Sequence, residues 1–267
     1  MKRKEEKNHY KKLFIIPQEL KELVNRILKN IFFILILSLV SSQTIAQNYE
    51  ACKNTLIDAI SNLNLIEKPS GNRVYELSMT VINISKNNQY DIPQELASTT
   101  YINRDSRVFK SEKISLFQNE KESFAVVHPS EAIFWTDMVE DTNRYERIDE
   151  LSNLKIEYFK KTEVIGCVEF NKDNINFKSI TVIPVKDSAN VISTYTFLIS
   201  SDKKSLKKLT VKFKDEHILD QQEFIINNLD FNSDFRMPEI RDLIFDRNTN
   251  NLLNKYNSYK LIDNREK

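Results

Sequence analysis

Glycine is scarce in this chain of 267 residues, which has only Gly71 and Gly166. Loops that cradle a nucleotide phosphate need several glycines, so that backbone amides can close around the anion. A P-loop and a dinucleotide-binding fingerprint are therefore excluded, and the glycine-flanked nucleophile turn of the α/β-hydrolases is missing as well. The sequence predicts no cofactor.

Cysteine and histidine are also rare, with two and three residues. Cys52 and Cys167 can form one disulfide in an oxidising compartment or pack as two buried thiols, and their spacing alone does not decide between these alternatives. His128 and His217 lack the ligand spacing of a metal site. We therefore expect no metal, no catalytic residue and no enzymatic activity.

The first 46 residues have the pattern of a secretory signal segment. Nine Lys/Arg and four Glu lie within residues 2–29, an apolar run of about ten residues follows at 31–40, and small residues surround a cleavage site after Ala46. The apolar run is shorter than the ~20 residues that a membrane-spanning helix needs. The sequence thus predicts export to the periplasm, with the leader either cleaved as a signal peptide or kept as an N-terminal anchor.

Charge in the remaining chain is nearly balanced. Residues 47–267 hold 30 Lys/Arg and 34 Asp/Glu, a net charge of about −4. This balance gives no electrostatic reason to expect nucleic acid or an anionic membrane surface as a partner.

The periodicity of apolar residues predicts one helix followed by many short strands. Apolar residues recur every three or four positions from Tyr49 to Leu65, which is typical of an amphipathic helix. From Tyr75 to Val81 the period is two, as in a strand with one buried face. Further strands are predicted at Thr99–Asn103, Arg107–Phe117, Ser123–His128, Ala132–Met138, Phe177–Val185, Val191–Ser200, Leu209–Phe213 and Glu223–Phe231.

Two segments give a less regular pattern. Residues 141–167 fit a helix or a strand, and we favour the helix. The tail from Pro238 predicts one or two short helices. Short polar turns between most strands favour an antiparallel meander, because parallel strands need long crossover connections.

Many of the 16 Phe and 10 Tyr residues fall on the predicted strands. They can fill an ordinary core, or they can line an apolar cavity inside a curved sheet with a helix across its mouth. If they line a cavity, the ligand-binding candidates are Tyr75, Leu77, Met79, Val81, Phe134, Trp135, Tyr195, Phe197 and Phe213. This choice assumes the pleat parity of the late strands, and a slip of one residue would reverse it.

The order of elements resembles the LolA/LolB-like superfamily of periplasmic lipoprotein carriers. The strand at Tyr75–Val81, the central hairpin at Phe124–Trp135, the paired late strands at Tyr195–Asp202 and Leu209–Phe213, and the strand from Ile225 to Phe235 carry the resemblance. The resemblance implies an incomplete β-barrel with an apolar cavity for acyl chains.

Two features of the family pattern are not matched clearly in this chain. The central hairpin turns at Pro129-Ser130-Glu131 where the family has a glycine. The family's carriers also hold their lid through a strand arginine, for which Arg73, Arg104 and Arg107 are alternatives.

Together these patterns predict an α+β protein with an antiparallel curved sheet, an incomplete β-barrel closed by helices. The predicted organisation is a leader at 1–46, a LolA-like domain at 47–235 and a C-terminal helical extension at 236–267. The expected function is non-catalytic binding or transport of lipid, an acylated protein or another apolar ligand. The alternative is an accessory interaction subunit of an envelope or secretion complex, with a filled core and a protein partner bound through the 236–267 tail.

Overall fold

The computed structural model describes residues 48–86, 95–138, 144–185 and 191–265. Residues 49–267 form one compact unit. The predicted leader at 1–46 lies outside the described residues.

Two α-helices and twelve strands make up the described chain. Helix α1 covers 48–64 and continues into a 3₁₀ turn at Leu65–Glu67, and helix α2 spans Arg144–Lys161. The strands are β1 (Tyr75–Ser85), β2 (Glu95–Ile102), β3 (Ser106–Ser111), β4 (Ile114–Asn119), β5 (Glu122–Val127), β6 (Ala132–Asp137), β7 (Glu163–Lys172), β8 (Ile175–Ile183), β9 (Ile192–Ser200), β10 (Ser205–Phe213), β11 (Leu219–Asp230) and β12 (Lys260–Asp263).

All twelve strands belong to one open, curved sheet. Their order is β12-β6-β5-β4-β3-β2-β1-β11-β10-β9-β8-β7, and every pair except the parallel β12–β6 pair is antiparallel. The predicted fold class, an α+β protein with a curved antiparallel sheet and helices, is confirmed.

The sheet has two faces that are covered by different parts of the chain. Residues that pair across neighbouring strands point to the same side, so the registers assign each side chain to a face. Leu77 of β1 packs with the helices, and we call its side the helix face. Tyr101 and Phe124 lie on the opposite side and pack with residues of the C-terminal tail, so we call that side the tail face.

The helix-face core lies over β1 and β7–β11. It buries Cys52, Leu56, Ala59 and Ile60 of α1 at 6 % exposure or less. Leu56 lies four residues after Cys52, and Ala59 and Ile60 lie three and four residues after Leu56, so they form the apolar stripe that the sequence predicts for this helix. The sheet contributes the buried side chains Ile180, Val182, Phe197, Ile199, Leu206 and Ile226.

One disulfide ties α1 to the end of the sheet. Cys52 of α1 is bonded to Cys167 of β7, at a sequence separation of 115. Cys167 pairs in register with the fully buried Ile180, which places the bond on the helix face.

The tail-face core lies over β2–β6, at the other end of the sheet. Residues 237–261 pack against Val108, Phe117, Phe124, Ile133 and Trp135. Ile240, Ile244, Phe245 and Tyr256 of the tail are each 6 % exposed or less. The tail ends as β12, which pairs with β6 and extends the sheet.

Glu76 organises the point where the chain crosses from one face to the other. Phe231, after β11, contacts Tyr75 on the helix face, whereas Phe235 stacks on Tyr101 on the tail face with ring centroids 3.7 Å apart. Between them the Ser233 hydroxyl donates to Glu76 Oε2 at 2.9 Å. The Asn228 amide donates to Oε1 of the same carboxylate, also at 2.9 Å.

Several local predictions need revision. The predicted strand Arg107–Phe117 is a hairpin of β3 and β4, whose turn is closed by the Ser111 hydroxyl hydrogen-bonded to the Ile114 carbonyl at 2.8 Å. The mixed segment 141–167 contains α2 as favoured, but it also contains the start of β7. The tail has two short 3₁₀ turns and a strand, because packing against the sheet decides its structure.

Candidate ligand-binding surface

The structure brings most of the predicted cavity residues to the helix face. Tyr75, Leu77, Met79 and Val81 alternate along β1 and share this side, as the period of two predicts. Val81 pairs with Phe224, Phe224 with Leu209, and Leu209 with Phe197, so Phe197 lies on the same face. The remaining members on this face are Tyr195 and Phe134.

These residues differ in how much of the side chain is accessible. Phe197 and Tyr75 are 2 % and 6 % exposed and belong to the packed core. Tyr195 packs its ring edge-on against Phe159 of α2, with centroids 5.7 Å apart. Met79, Val81 and Phe134 are only half-buried. Of the predicted residues on the helix face, these three, Leu77 and Tyr195 are half-buried and therefore retain surface that a ligand can touch.

Trp135 lies on the tail face, opposite to Phe134. The two residues are adjacent on β6, so their side chains point to opposite sides. Trp135 donates its indole N–H to Glu122 Oε2 at 3.0 Å and packs in the tail-face core. The guanidinium of Arg265 lies 3.3 Å from the centroid of its ring, a cation–π contact that helps to hold the end of the tail.

Phe213 is also separate from the group. It follows a register shift at the end of β10, and its ring stacks on the imidazole of His217 with centroids 4.1 Å apart. The predicted set is therefore divided among the helix-face core, the half-buried helix face, the tail face and a strand end.

A half-buried apolar row crosses the helix face of β3–β6. Phe109 pairs with Leu116, Leu116 with Ala125, Ala125 with Phe134, and Phe134 with Ile262 of β12. All five are half-buried, and none belongs to a hydrophobic core of the described residues. On the other side of Phe109, Thr100 of β2 pairs with both Phe109 and Leu77, so the row continues to Leu77 of β1.

The predicted set lacked Phe109, Leu116, Ala125 and Ile262 of this row, and also Leu96 and Phe224 beside Val81. Period-two alternation was available in β3 and β4, but treating residues 107–117 as one strand hid the turn that aligns Phe109 with Leu116. Val81 has Leu96 and Phe224 as cross-strand neighbours on its two sides, and only the observed register shows this.

Arg107 borders the row on the side of α1. It lies on the helix face of β3, two residues before Phe109, and forms an ion pair with Glu67 in the 3₁₀ turn after α1. Its Nε is buried and has no hydrogen-bond acceptor in the described residues. Of the three arginines that the resemblance leaves as alternatives, Arg107 thus connects a strand to the end of α1.

The helices contribute further polar contacts at the same side. Lys68, just after the 3₁₀ turn, forms an ion pair with Asp149 of α2.

Burial raises the pKa of Tyr195, and a hydrogen bond with Tyr158 of α2 raises it further. Tyr195 is therefore a neutral phenol at physiological pH and supplies an aromatic wall with a hydrogen-bonding end.

His128 lies away from this surface and has structural partners. The His128 imidazole joins the Ser115 hydroxyl and the Tyr259 hydroxyl, with Nε2 and Nδ1 each 3.0 Å from the respective oxygen. Ser115 is 6 % exposed, so this chain of hydrogen bonds serves to fix the tail against β4. Among the described residues no group of three or more His, Cys, Asp or Glu side chains is arranged to hold a metal.

An open cleft of about 310 Å³ lies in the tail and is lined by Glu239, Arg241, Asp242, Phe245, Asp246, Arg247 and Asn250. Its arginines have internal partners: Arg247 pairs with Asp242, and Arg241 donates to Asn250 at 3.0 Å.

Within the described ranges, no helix is long and apolar enough to cross a membrane.

Comparison with known proteins finds similarity only among solved structures. No protein-family model and no curated protein matches the chain. An uncharacterised conserved protein from Thermus thermophilus is similar with a TM-score of 0.40 and 7 % identity, over 80 % of this chain and 99 % of that one. The lipoprotein LppX of Mycobacterium tuberculosis is similar with a TM-score of 0.36 and 10 % identity, over 66 % and 93 % of the two chains.

A LolA superfamily protein from Nitrosomonas europaea is similar with a TM-score of 0.26 and 4 % identity, over 68 % of this chain and 94 % of that one. The resemblance to LolA-like proteins noted in the sequence is thus met among solved structures as well. With TM-scores below 0.5, these likenesses assign no function to this chain.

Proposed function

We propose that this protein is an exported, non-catalytic binding protein or carrier for an acyl chain or another apolar ligand. The observation that carries the proposal is the half-buried apolar row Phe109–Leu116–Ala125–Phe134, which continues toward Met79 and Val81 on the same face. The tail packs on the opposite face of these strands, and the residues of the row are only half-buried.

The shape of the row suits an extended chain of methylene groups. Neighbouring strands are ~4.8 Å apart, so a row across β3–β6 presents apolar side chains over ~15 Å. Each buried methylene contributes about 0.8 kcal/mol, and ten of them give ~8 kcal/mol before the cost of lost freedom is subtracted.

The ion pair between Arg107 and Glu67 lies where α1 ends beside the row. An anionic or strongly polar head group can compete with Glu67 for the guanidinium, whose Nε is buried without an acceptor in the described chain. In this proposal the turn after α1, which carries Glu67, forms the border of the site. Export to the periplasm, with the leader removed or kept as a tether, remains part of the proposal.

The alternative of an accessory subunit that docks through its tail requires apolar side chains of the tail to be exposed. In the described tail, the side chains of Ile240, Ile244, Phe245 and Tyr256 are buried against the sheet instead. The tail therefore gives this alternative no specific support.

Native mass spectrometry tests the proposal. The full-length chain is produced in a Gram-negative host, purified as the cell delivers it, delipidated and then mixed with palmitate or a lysophospholipid. We expect a co-purified lipid that is lost on delipidation and an adduct of one ligand per protein that returns with added acyl compound. A mass that remains that of the apo-protein at millimolar ligand would refute the proposal.

A further inference from the structure

Strand β7 forms one edge of the sheet and has accessible apolar side chains. It is ten residues long, it pairs with β8 alone, and no described strand lies beyond it. Val168 is 61 % exposed, Ile165 43 % and Phe170 41 %. A long edge strand with exposed apolar side chains is a template for pairing with another strand, although in β7 the Ile165 carbonyl already accepts a hydrogen bond from the Tyr49 hydroxyl at 3.5 Å.

Five residues of β7 point to the tail face. Glu163, Gly166, Val168, Phe170 and Lys172 pair with Ile183, Thr181, Ser179, Phe177 and Ile175 of β8. The spacing is two except between Glu163 and Gly166, because a bulge at Ile165 inserts one extra residue. Phe170 stacks on Phe177, with ring centroids 5.7 Å apart, and extends the apolar surface onto β8.

We propose that β7 pairs antiparallel with β7 of a second copy of this chain, across a two-fold axis at Val168. A two-fold axis perpendicular to the sheet keeps the tail faces of both copies on the same side, so the five residues meet each other. Val168 then contacts Val168 of the second copy, and each Phe170 ring lies over Gly166 of the other copy, where no side chain obstructs it.

The bulge brings opposite charges together at both ends of this pairing. Without the bulge, Glu163 would be out of register with Lys172 of the second copy by one residue. The extra residue at Ile165 corrects this offset, so that each Glu163 faces a Lys172. Both residues are exposed in the single chain. Directly opposed charges of unlike sign stabilise a strand pair, whereas like charges destabilise it.

Other registers lose this complementarity. If the axis moves by two residues to Gly166 or Phe170, each Glu163 and each Lys172 faces an uncharged residue or extends past the end of the other strand. The disulfide from Cys167 to Cys52 meanwhile anchors the centre of β7 to helix α1. The edge is therefore held in place before association, which lowers the entropic cost of pairing.

Charge-reversal variants test the proposal, because a mixture of two complementary variants should restore a dimer that each variant alone has lost, and a folding defect would not be restored by mixing. The oligomeric state of the full-length chain, purified as the host cell delivers it, is measured by sedimentation equilibrium at low salt. We expect a dimer whose dissociation constant rises at least about tenfold in Glu163→Lys, where lysines face lysines, and equally in Lys172→Glu, where glutamates face glutamates.

An equimolar mixture of Glu163→Lys and Lys172→Glu is expected to recover the dimer, because both charge pairs are then of opposite sign. Val168→Lys is expected to abolish the dimer, whereas the control Leu154→Lys, at a position on α2 that is 66 % exposed, leaves it intact. A wild-type chain that stays monomeric up to ~100 μM, far above the dissociation constants of most stable dimers, would overturn the proposal. So would single variants that dimerise like the wild type, or a mixture that stays monomeric.

Discussion

Reduction of the Cys52–Cys167 disulfide should remove a large part of the stability of the fold. The bond closes a loop between α1 and β7 at a sequence separation of 115. In the chain-entropy treatment, a loop of this length restricts the unfolded state by about 5 kcal/mol, and native disulfides typically contribute 2–5 kcal/mol. Domains have a total stability of about 5–15 kcal/mol, so a loss of about 2–5 kcal/mol is a substantial share of it.

Urea denaturation of the full-length chain with and without reductant measures this loss. Reduction is preferable to substitution, because it breaks the bond while both sulfurs stay in the core, where Cys52 is fully buried. The Cys52→Ala/Cys167→Ala double variant serves as a control, since its unfolding should not respond to reductant. A free energy of unfolding that changes by less than ~1 kcal/mol on reduction would refute the reasoning.

Two further predictions concern the core. Phe197→Ala should lower the free energy of unfolding by about 3–5 kcal/mol, because this ring is buried in the helix-face core. Phe213→Ala, at a half-buried strand end, should lower it clearly less. Equal losses in urea denaturation would contradict the assignment of Phe197 to the core and of Phe213 to a strand end. Burial raises the pKa of Tyr256 to about 12. The folded state therefore keeps the phenolic proton where the unfolded state, with an ordinary pKa of about 10, has lost it, so stability should fall as pH rises from 10 to 12. Tyr256→Phe should make this fall shallower, and an identical pH profile for both proteins would argue against a buried neutral phenol.

The sequence allowed the main features of the fold to be predicted where periodicity was regular. The stripe Cys52, Leu56, Ala59 and Ile60 predicts both the helix and its buried side, and all four are in the core. The alternation from Tyr75 to Val81 predicts a strand whose apolar residues share one face, as observed. Both patterns are local, so neighbouring residues alone determine them.

Other features depend on contacts that are distant in the chain. Phe134 and Trp135 are both apolar, so local pattern cannot say which face of β6 is covered. The tail, which follows Trp135 by more than 100 residues in the chain, packs on the Trp135 side and so determines which face is covered. The turn between β3 and β4 contains Glu112 and Lys113 but no glycine or proline, which explains why one long strand was predicted there.

The disulfide and the edge strand were unpredictable for a similar reason. Spacing leaves the pairing of Cys52 and Cys167 open, and only the packing of α1 across β7 and β8 brings the two sulfurs together. Strand β7 carries Glu163, Glu169 and Lys172 among its apolar residues, because an edge strand is solvated on much of its surface. Its alternation is therefore weaker than that of a central strand.

Binding of an acyl ligand to two neighbouring variants of β1 tests the central claim most directly. Val81 and Ile82 are both half-buried, but Val81 lies on the helix face between Leu96 and Phe224, whereas Ile82 lies on the tail face between Glu95 and Glu223. Calorimetric titration of the delipidated full-length chain with palmitate should show at least tenfold weaker binding for Val81→Lys, because a charge then lies on the apolar surface.

The matched Ile82→Lys variant should bind like the wild type, since its new ammonium group lies beside two glutamates on the opposite side of the sheet. Thermal unfolding of both variants controls for loss of structure. Equal affinity of Val81→Lys and the wild type, or stronger weakening by Ile82→Lys than by Val81→Lys, would contradict a binding site on the helix face.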